Sequence, residues 1–216
     1  MSLYLRRLIS QGEHQQQDFK FAITDSKKIA RSLSAFSNTD GGRLLIGVKD
    51  NGNIAGVRSD EEYYMIEAAA ALYCRPEVAF EAKSWEVEGK TVLEIKVEAA
   101  EKRPVVAPAK DDKWMAFVRV DDQNFLANKI QVEVWKRQKT GKPVAFSYSS
   151  KEKKLLAYLS KHPHITFSKF CRIARIPRQE AEKTLINLIV LEIIQIHFTE
   201  KGALYSLRKK NEASST

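Results

Sequence analysis

The chain has 216 residues, room for one large or two small domains, and its 44% hydrophobic and 29% charged residues exclude global disorder. No run approaches a membrane span, the N-terminal residues do not read as a secretion signal, and two cysteines with four scattered histidines suggest neither a disulfide framework nor a zinc site. The net charge of +9 is uneven: Met1–Trp135 hold 19 Lys/Arg against 21 Asp/Glu, and Lys136–Thr216 hold 17 against 6.

The first two-thirds read as α+β. Asp25 or Ser26 opens a helix, SKKIARSLSAFSN, with Ile29, Leu33 and Phe36 on one face. It stops at Asn38-Thr39-Asp40-Gly41-Gly42, residues that tolerate positive φ. The strand RLLIGV, a turn at Lys49–Asn53 and a return through Ile54 to Val57 follow. Ser59 opens a second helix, DEEYYMIEAAAALYC, closed by Arg75-Pro76. The strands VAFEAKSWEV and TVLEIKVEA flank Glu88-Gly89-Lys90, and a last strand, WMAFVRV, leads to a helix around Leu126 to Arg137. This irregular order predicts a mixed sheet covered by helices, not a doubly wound fold.

A join is expected over Lys139–Ser150, where Gly, Pro and Ser cluster, dividing the chain into domains 1–138 and 139–216, the second with a short disordered tail. Beyond it, Ser150 caps the helix KEKKLLAYLSKH, with Leu155, Leu156 and Leu159 on one face. Thr166 precedes FSKFCRIA, with Phe167, Phe170 and Ile173 pointing inward. Pro177 starts PRQEAEKTLINLIVLE, where Ala181, Leu185, Leu188 and Ile189 repeat at helical spacing. IIQIHF and ALYSL then alternate around Thr199–Gly202, a hairpin signal. Three helices and a hairpin resemble the winged-helix variant of the helix-turn-helix. In that arrangement the third helix enters the major groove, presenting Arg178, Gln179, Lys183 and Asn187, with Arg175 before it and His197 and Lys201 on the hairpin. Arg and Gln can pair with base edges, and Lys fixes position on phosphate.

The run Glu13…Asp18-Phe19-Lys20, Ala35-Phe36-Ser37-Asn38-Thr39-Asp40-Gly41-Gly42, Leu45–Asp50 and Gly52–Val57 resembles the Schlafen AlbA-type domain. Arg103-Pro104 and Phe117-Val118-Arg119-Val120 continue the likeness, which covers roughly Leu8 to Asn128. Bacterial members are often joined to a C-terminal winged helix and described as DNA-binding or transcriptional regulators. The cleaving members of the family use acidic residues, and the resemblance maps these onto Glu13, Asp18 and Asp50, with Lys20 completing Asp-x-Lys. Three carboxylates can hold Mg²⁺ or Mn²⁺ to polarise a phosphodiester, and Lys20 can offset the charge that develops. The bland alternative is that Glu13 and Asp18 are solvated strand-edge residues and Asp50 serves its turn. Asp18 is also shorter than the family's usual second glutamate.

Some family members are labelled ATP-binding, but no Gly-Lys-Ser/Thr or GxGxxG accompanies these glycines, which read as helix stops and turns. Tyr63, Tyr64, Tyr73, Trp85 and Trp114 read as packing residues before stacking platforms. The expected function is a cytoplasmic nucleic-acid-binding protein, a DNA-binding transcriptional regulator, with DNA ahead of RNA as partner and no membrane partner. A homodimer fits the paired half-sites such modules read, and the sequence leaves oligomeric state open. The alternatives are a metal-dependent endonuclease acting on RNA ahead of DNA and a winged-helix protein-interaction adaptor.

Overall fold

A computed structural model describes residues 3–141, 143 and 148–208. The elements run α1 (Leu3–Ser10), β1 (Gln17–Lys20), α2 (Ser26–Asn38), β2 (Gly42–Ile46), α3 (Glu61–Leu72), β3 (Phe80–Val87), β4 (Lys90–Val97), β5 (Val106–Pro108), β6 (Trp114–Val120) and β7 (Gln123–Leu126). There follow α4 (Lys129–Thr140), α5 (Ser150–Leu159), β8 (Ile165–Thr166), α6 (Phe167–Ala174), α7 (Arg178–Val190), β9 (Ile194–Thr199) and β10 (Gly202–Leu207). The chain divides into two compact units, Met1–Ala127 and Asn128–Thr216.

The first unit is built around α2. Asp25 caps it, its carboxylate accepting the N–H groups of Lys27 and Lys28. Every residue from Leu33 to Asn38 is buried, so the helix needs partners on nearly all sides. A four-stranded sheet in the order β1-β2-β4-β3, with β1 and β2 parallel and the other pairs antiparallel, lies on one side. The antiparallel sheet β5-β6-β7 also packs against α2. Ile29, Leu33 and Phe36 join Leu44, Ile46, Ile95 and Phe117 in this core. The opposite face of the four-stranded sheet is closed by α1, with Leu5 and Leu8 against Phe19, Leu45 and Val92. The expected mixed sheet covered by helices is present, with α1, β5 and β7 as additional elements.

The Phe-Ser-Asn-Thr-Asp-Gly-Gly run is a scaffold. Asn38 Nδ2 donates to the carbonyls of Val105 (2.7 Å) and Phe117 (2.9 Å), and its Oδ1 accepts the Val105 N–H at 2.8 Å. One buried amide thus satisfies backbone groups at the start of β5 and in β6 that would otherwise be orphaned. Gly42 packs so closely on the Phe36 ring that an added Cβ would lie 2.4 Å from it.

In the second unit α5, α6 and α7 precede the hairpin β9–β10, and β8 pairs with β10 to make a three-stranded antiparallel sheet. Leu155, Leu159, Phe170, Ala181, Leu185, Leu188 and Tyr205 fill the core. Three details differ from expectation. Ser149, not Ser150, caps α5, in a reciprocal capping box with Glu152. Pro177 is the N-cap of α7, not its first helical residue. The units meet at Ala127/Asn128, not at 138/139, because Ile130, Val134 and Trp135 of α4 are buried and α4 packs on α7. Part of the expected join (142 and 144–147) and the tail 209–216 lie outside the described residues.

Candidate functional site

The segment Glu13–Lys20 runs into β1, the edge strand beside β2. Because side chains alternate along a strand, Phe19 enters the core beneath α1 while Asp18 and Lys20 share the other face. Asp18 is buried and gripped by two cations, with Lys20 Nζ 2.7 Å from Oδ2 and Arg119 Nη2 3.4 Å from Oδ1. Arg119 comes from β6 and also donates to the Gln17 carbonyl at 3.1 Å and to Asn124 Oδ1 at 3.2 Å. Its guanidinium lies over the Phe36 ring, 5.3 Å from the centroid. The Phe-Val-Arg-Val strand therefore contributes a residue that the expected site set lacked. Its partner is a hundred residues away in sequence, and no local signal joins them.

Glu13 approaches the outer edge of β1, where its Oε1 accepts the Phe19 N–H at 2.8 Å. Burial first, then a hydrogen bond to Asp18, push the Glu13 carboxyl above the ordinary carboxylate range, while the Phe19 N–H pulls the other way. The structure thus brings Glu13, Asp18 and Lys20 together, with Arg119 added.

Asp50 does not complete the set. It is exposed in the turn between Lys49 and Asn51, and among the described residues no three of His, Cys, Asp and Glu are grouped to hold a metal ion. The three-carboxylate Mg²⁺ or Mn²⁺ centre implied by the sequence is not assembled. Both Asp18 oxygens already face cations of the chain, and one Glu13 oxygen faces a backbone N–H. These residues do not fit a divalent metal as they stand, because a cation there would compete with Lys20 and Arg119 for the same carboxylate. What the cluster does is tie the N-terminal segment to β6 through a compensated ion network.

In the second unit, Arg178, Gln179 and Lys183 are exposed on α7, and Arg175 is exposed at the α6 C-cap with φ 57°. The Arg178 guanidinium rests over the Phe167 ring, 4.8 Å from its centroid. Lys201 is exposed in the turn between β9 and β10. Two members of the expected set are placed differently. Asn187 is half-buried and accepts a hydrogen bond from Arg137 of α4, so its amide is engaged within the unit. His197 is exposed and hydrogen-bonds Ser206 Oγ at 2.8 Å. Partial burial of the ring, then the nearby charge of His164, hold its imidazole below the usual range. Acidic side chains on α7 are also paired: Glu180 with Lys151 at 2.7 Å and Glu182 with Lys129 at 2.8 Å. That pairing leaves the exposed cations of α7 without a competing carboxylate from those two positions.

The first unit is thus an α+β domain in which the Glu13–Arg119 network ties the segment leading into β1 to β6. The chain belongs to the Schlafen AlbA_2 family, whose sequence profile matches residues 13–128. Among solved structures it is similar to the DIP2311 protein from Corynebacterium diphtheriae, at 23% identity and TM-score 0.45 over 68% of this chain and 32% of that one. It is also similar to the N-terminal domain of a RecG-related protein from Nitrosomonas europaea, at 23% identity and TM-score 0.42 over 58% of this chain and 92% of that one. The chain therefore spans about a third of the length of the Corynebacterium protein. Among curated proteins, none matches it. Among the described residues, no helix is long and apolar enough to cross a membrane.

Proposed function

We propose that the protein binds nucleic acid, as a DNA-binding transcriptional regulator whose second unit is a winged helix-turn-helix. The observation that carries this reading is the placement of charge. Residues 128–216 hold 18 Lys/Arg against 7 Asp/Glu, while residues 1–127 hold 18 against 20. A net +11 on one small unit attracts a polyanion at long range. Arg175, Arg178, Lys183 and Lys201 are exposed to meet phosphate, and Gln179 has the amide that pairs with adenine. α7 is the recognition helix in this reading, and its N-terminal half is the part that reaches the bases. DNA is favoured over RNA on that geometry, and a homodimer on paired half-sites accords with it.

A second reading, a protein-interaction adaptor, draws support from α4. This helix packs on α7 and engages Glu182 in its N-terminal half and Asn187 in its C-terminal half, so one side of α7 is already partnered within the unit.

The test is binding of labelled duplex DNA and structured RNA by the full chain across a salt series, beside an Arg178→Ala/Lys183→Ala variant. Each phosphate that the variant no longer neutralises lowers the log–log salt slope by about 0.9. Weaker binding and a shallower slope in the variant support the regulator. Negligible affinity of the wild type near physiological salt supports the adaptor.

A further inference from the structure

At the C-terminal end of β1 the chain places a partly exposed aromatic ring beside two cations. Phe21 is 45% exposed, whereas Phe19, two residues before it, is buried. Lys49 Nζ lies 5.5 Å and Arg58 Cζ 5.4 Å from the Phe21 ring centroid, and both side chains are exposed.

Two glycines create this convergence. The Lys20 carbonyl accepts the Gly47 N–H at 2.8 Å, which carries the parallel pairing of β1 and β2 one step further and sets Phe21 beside the Gly47–Lys49 backbone. The Gly47 carbonyl then accepts both the Ala55 (2.8 Å) and Gly56 (2.9 Å) N–H groups. A Cβ on Gly47 would lie 2.7 Å from the Gly56 carbonyl carbon, and both glycines have positive φ, 89° and 83°. Only glycine permits backbones this close in this conformation. Lys49 and Arg58 each lie two residues beyond one of the touching glycines, and so arrive at the same ring. Arg58 is held further, because the buried Glu62 carboxylate accepts its backbone N–H and that of Ser59.

We infer that Phe21, Lys49 and Arg58 form a binding site for unpaired nucleotides of single-stranded nucleic acid. The site rests on the nucleic-acid reading above and adds to it a ligand class and a location in the first unit. A base needs a π-face to stack on, and its phosphate needs a cation within the span of one nucleotide. The patch supplies both. Phenylalanine has no polar group with which to read a base edge, so it selects an open face, and only unpaired bases offer one. The guanidinium of Arg58 is itself a plane on which a base stacks. Beyond Arg58, its neighbours Val57 and Ser59 line a cleft of about 200 Å³ that also contains Tyr63 and Tyr64. Tyr64 is 64% exposed, a second ring in the cleft next to Arg58.

The test measures anisotropy of labelled twelve-nucleotide oligo(dT) and oligo(U), and of a blunt DNA duplex, with the full chain. Phe21→Ala is expected to weaken single-strand binding about tenfold, the loss of one base stack, and to leave duplex binding unchanged. Phe21→Trp is expected to keep single-strand affinity, with its added indole emission quenched on binding. The two oligonucleotides show whether a DNA or an RNA single strand is preferred. Unchanged single-strand affinity in Phe21→Ala overturns the inference, as does an equal loss on duplex, which would mean that the ring only positions Lys49 and Arg58 on phosphate. A wild type that holds duplex and no single strand also overturns it and leaves the regulator reading standing. A wild type that holds neither removes both.

Discussion

Arg119 Nη2 stands 3.4 Å from Asp18 Oδ1, and the two side chains are 2% and 5% exposed. An ion pair this deep costs desolvation on both sides, so its presence adds little net stability, whereas removing one partner leaves a stranded charge. Lys20 is more exposed and reaches only the other Asp18 oxygen. Arg119→Met is therefore expected to destabilise the first unit by about 3 kcal/mol. Adding Asp18→Asn to it should recover much of that loss, since no buried charge is then unpaired. Urea denaturation of the two variants against wild type measures both. A single variant within about 0.5 kcal/mol of wild type would mean that Lys20 alone satisfies Asp18.

Glu13 gives a prediction with a definite pH direction. Its folded carboxyl is raised from an ordinary value of 4.5, chiefly by burial and then by Asp18. Between the unfolded and folded values the folded state binds more protons, so stability falls as pH rises through that window. The full penalty applies above the folded value. Glu13→Gln keeps an acceptor for the Phe19 N–H and offers Asp18 a donor, while removing the charge. Its melting temperature should equal or exceed that of wild type at pH 7, with an advantage that grows upward from about pH 4.5 and then levels off. Paired thermal melts from about pH 4 to pH 8 follow this. A variant less stable than wild type throughout would show that the Glu13 carboxylate is not under strain.

What the sequence disclosed follows the range of the forces involved. The Ile29/Leu33/Phe36 spacing, the Asp25 cap and the Gly202 hairpin are local, and each lies where the spacing puts it. Short elements are illegible for a physical reason. α1 buries only Leu5 and Leu8, and β8 is two residues long, so neither carries a period. A helix over part of α4 is expected from the sequence, but the core that receives it depends on packing against α7, through pairs such as Lys129–Glu182 and Arg137–Asn187 that no local pattern joins. Asp18 and Lys20 are legible as a pair because a strand alternates. Arg119 is not, and the turn at Asp50 carries no information about its distance from Glu13. Phe21 gives no signal either, because an apolar residue directly after a strand reads as packing, and its exposure depends on the Gly47–Gly56 approach.

The place where the second unit begins can be tested by cutting the chain. Ile130, Val134 and Trp135 are 5%, 1% and 6% exposed, and Ile130 and Val134 belong to the core of α5–α7. Burying Ile130 and Val134 contributes about 1.5–3 kcal/mol each, so together they supply roughly 4 kcal/mol. That is a large share of the whole stability of a small domain, about 5–15 kcal/mol. Asn128 adds a cap for α4 through the Gln131 N–H and a hydrogen bond to the buried Tyr205 hydroxyl. A fragment from Asn128 to Thr216 should therefore unfold cooperatively on heating, with the near-ultraviolet signal of a fixed Trp135. A fragment starting at Lys139 loses α4 and should show no sharp transition. Cooperative melting of the shorter fragment at an equal temperature would mean that α4 rests on the unit without holding it together, and would return the boundary to the Gly/Pro-containing join.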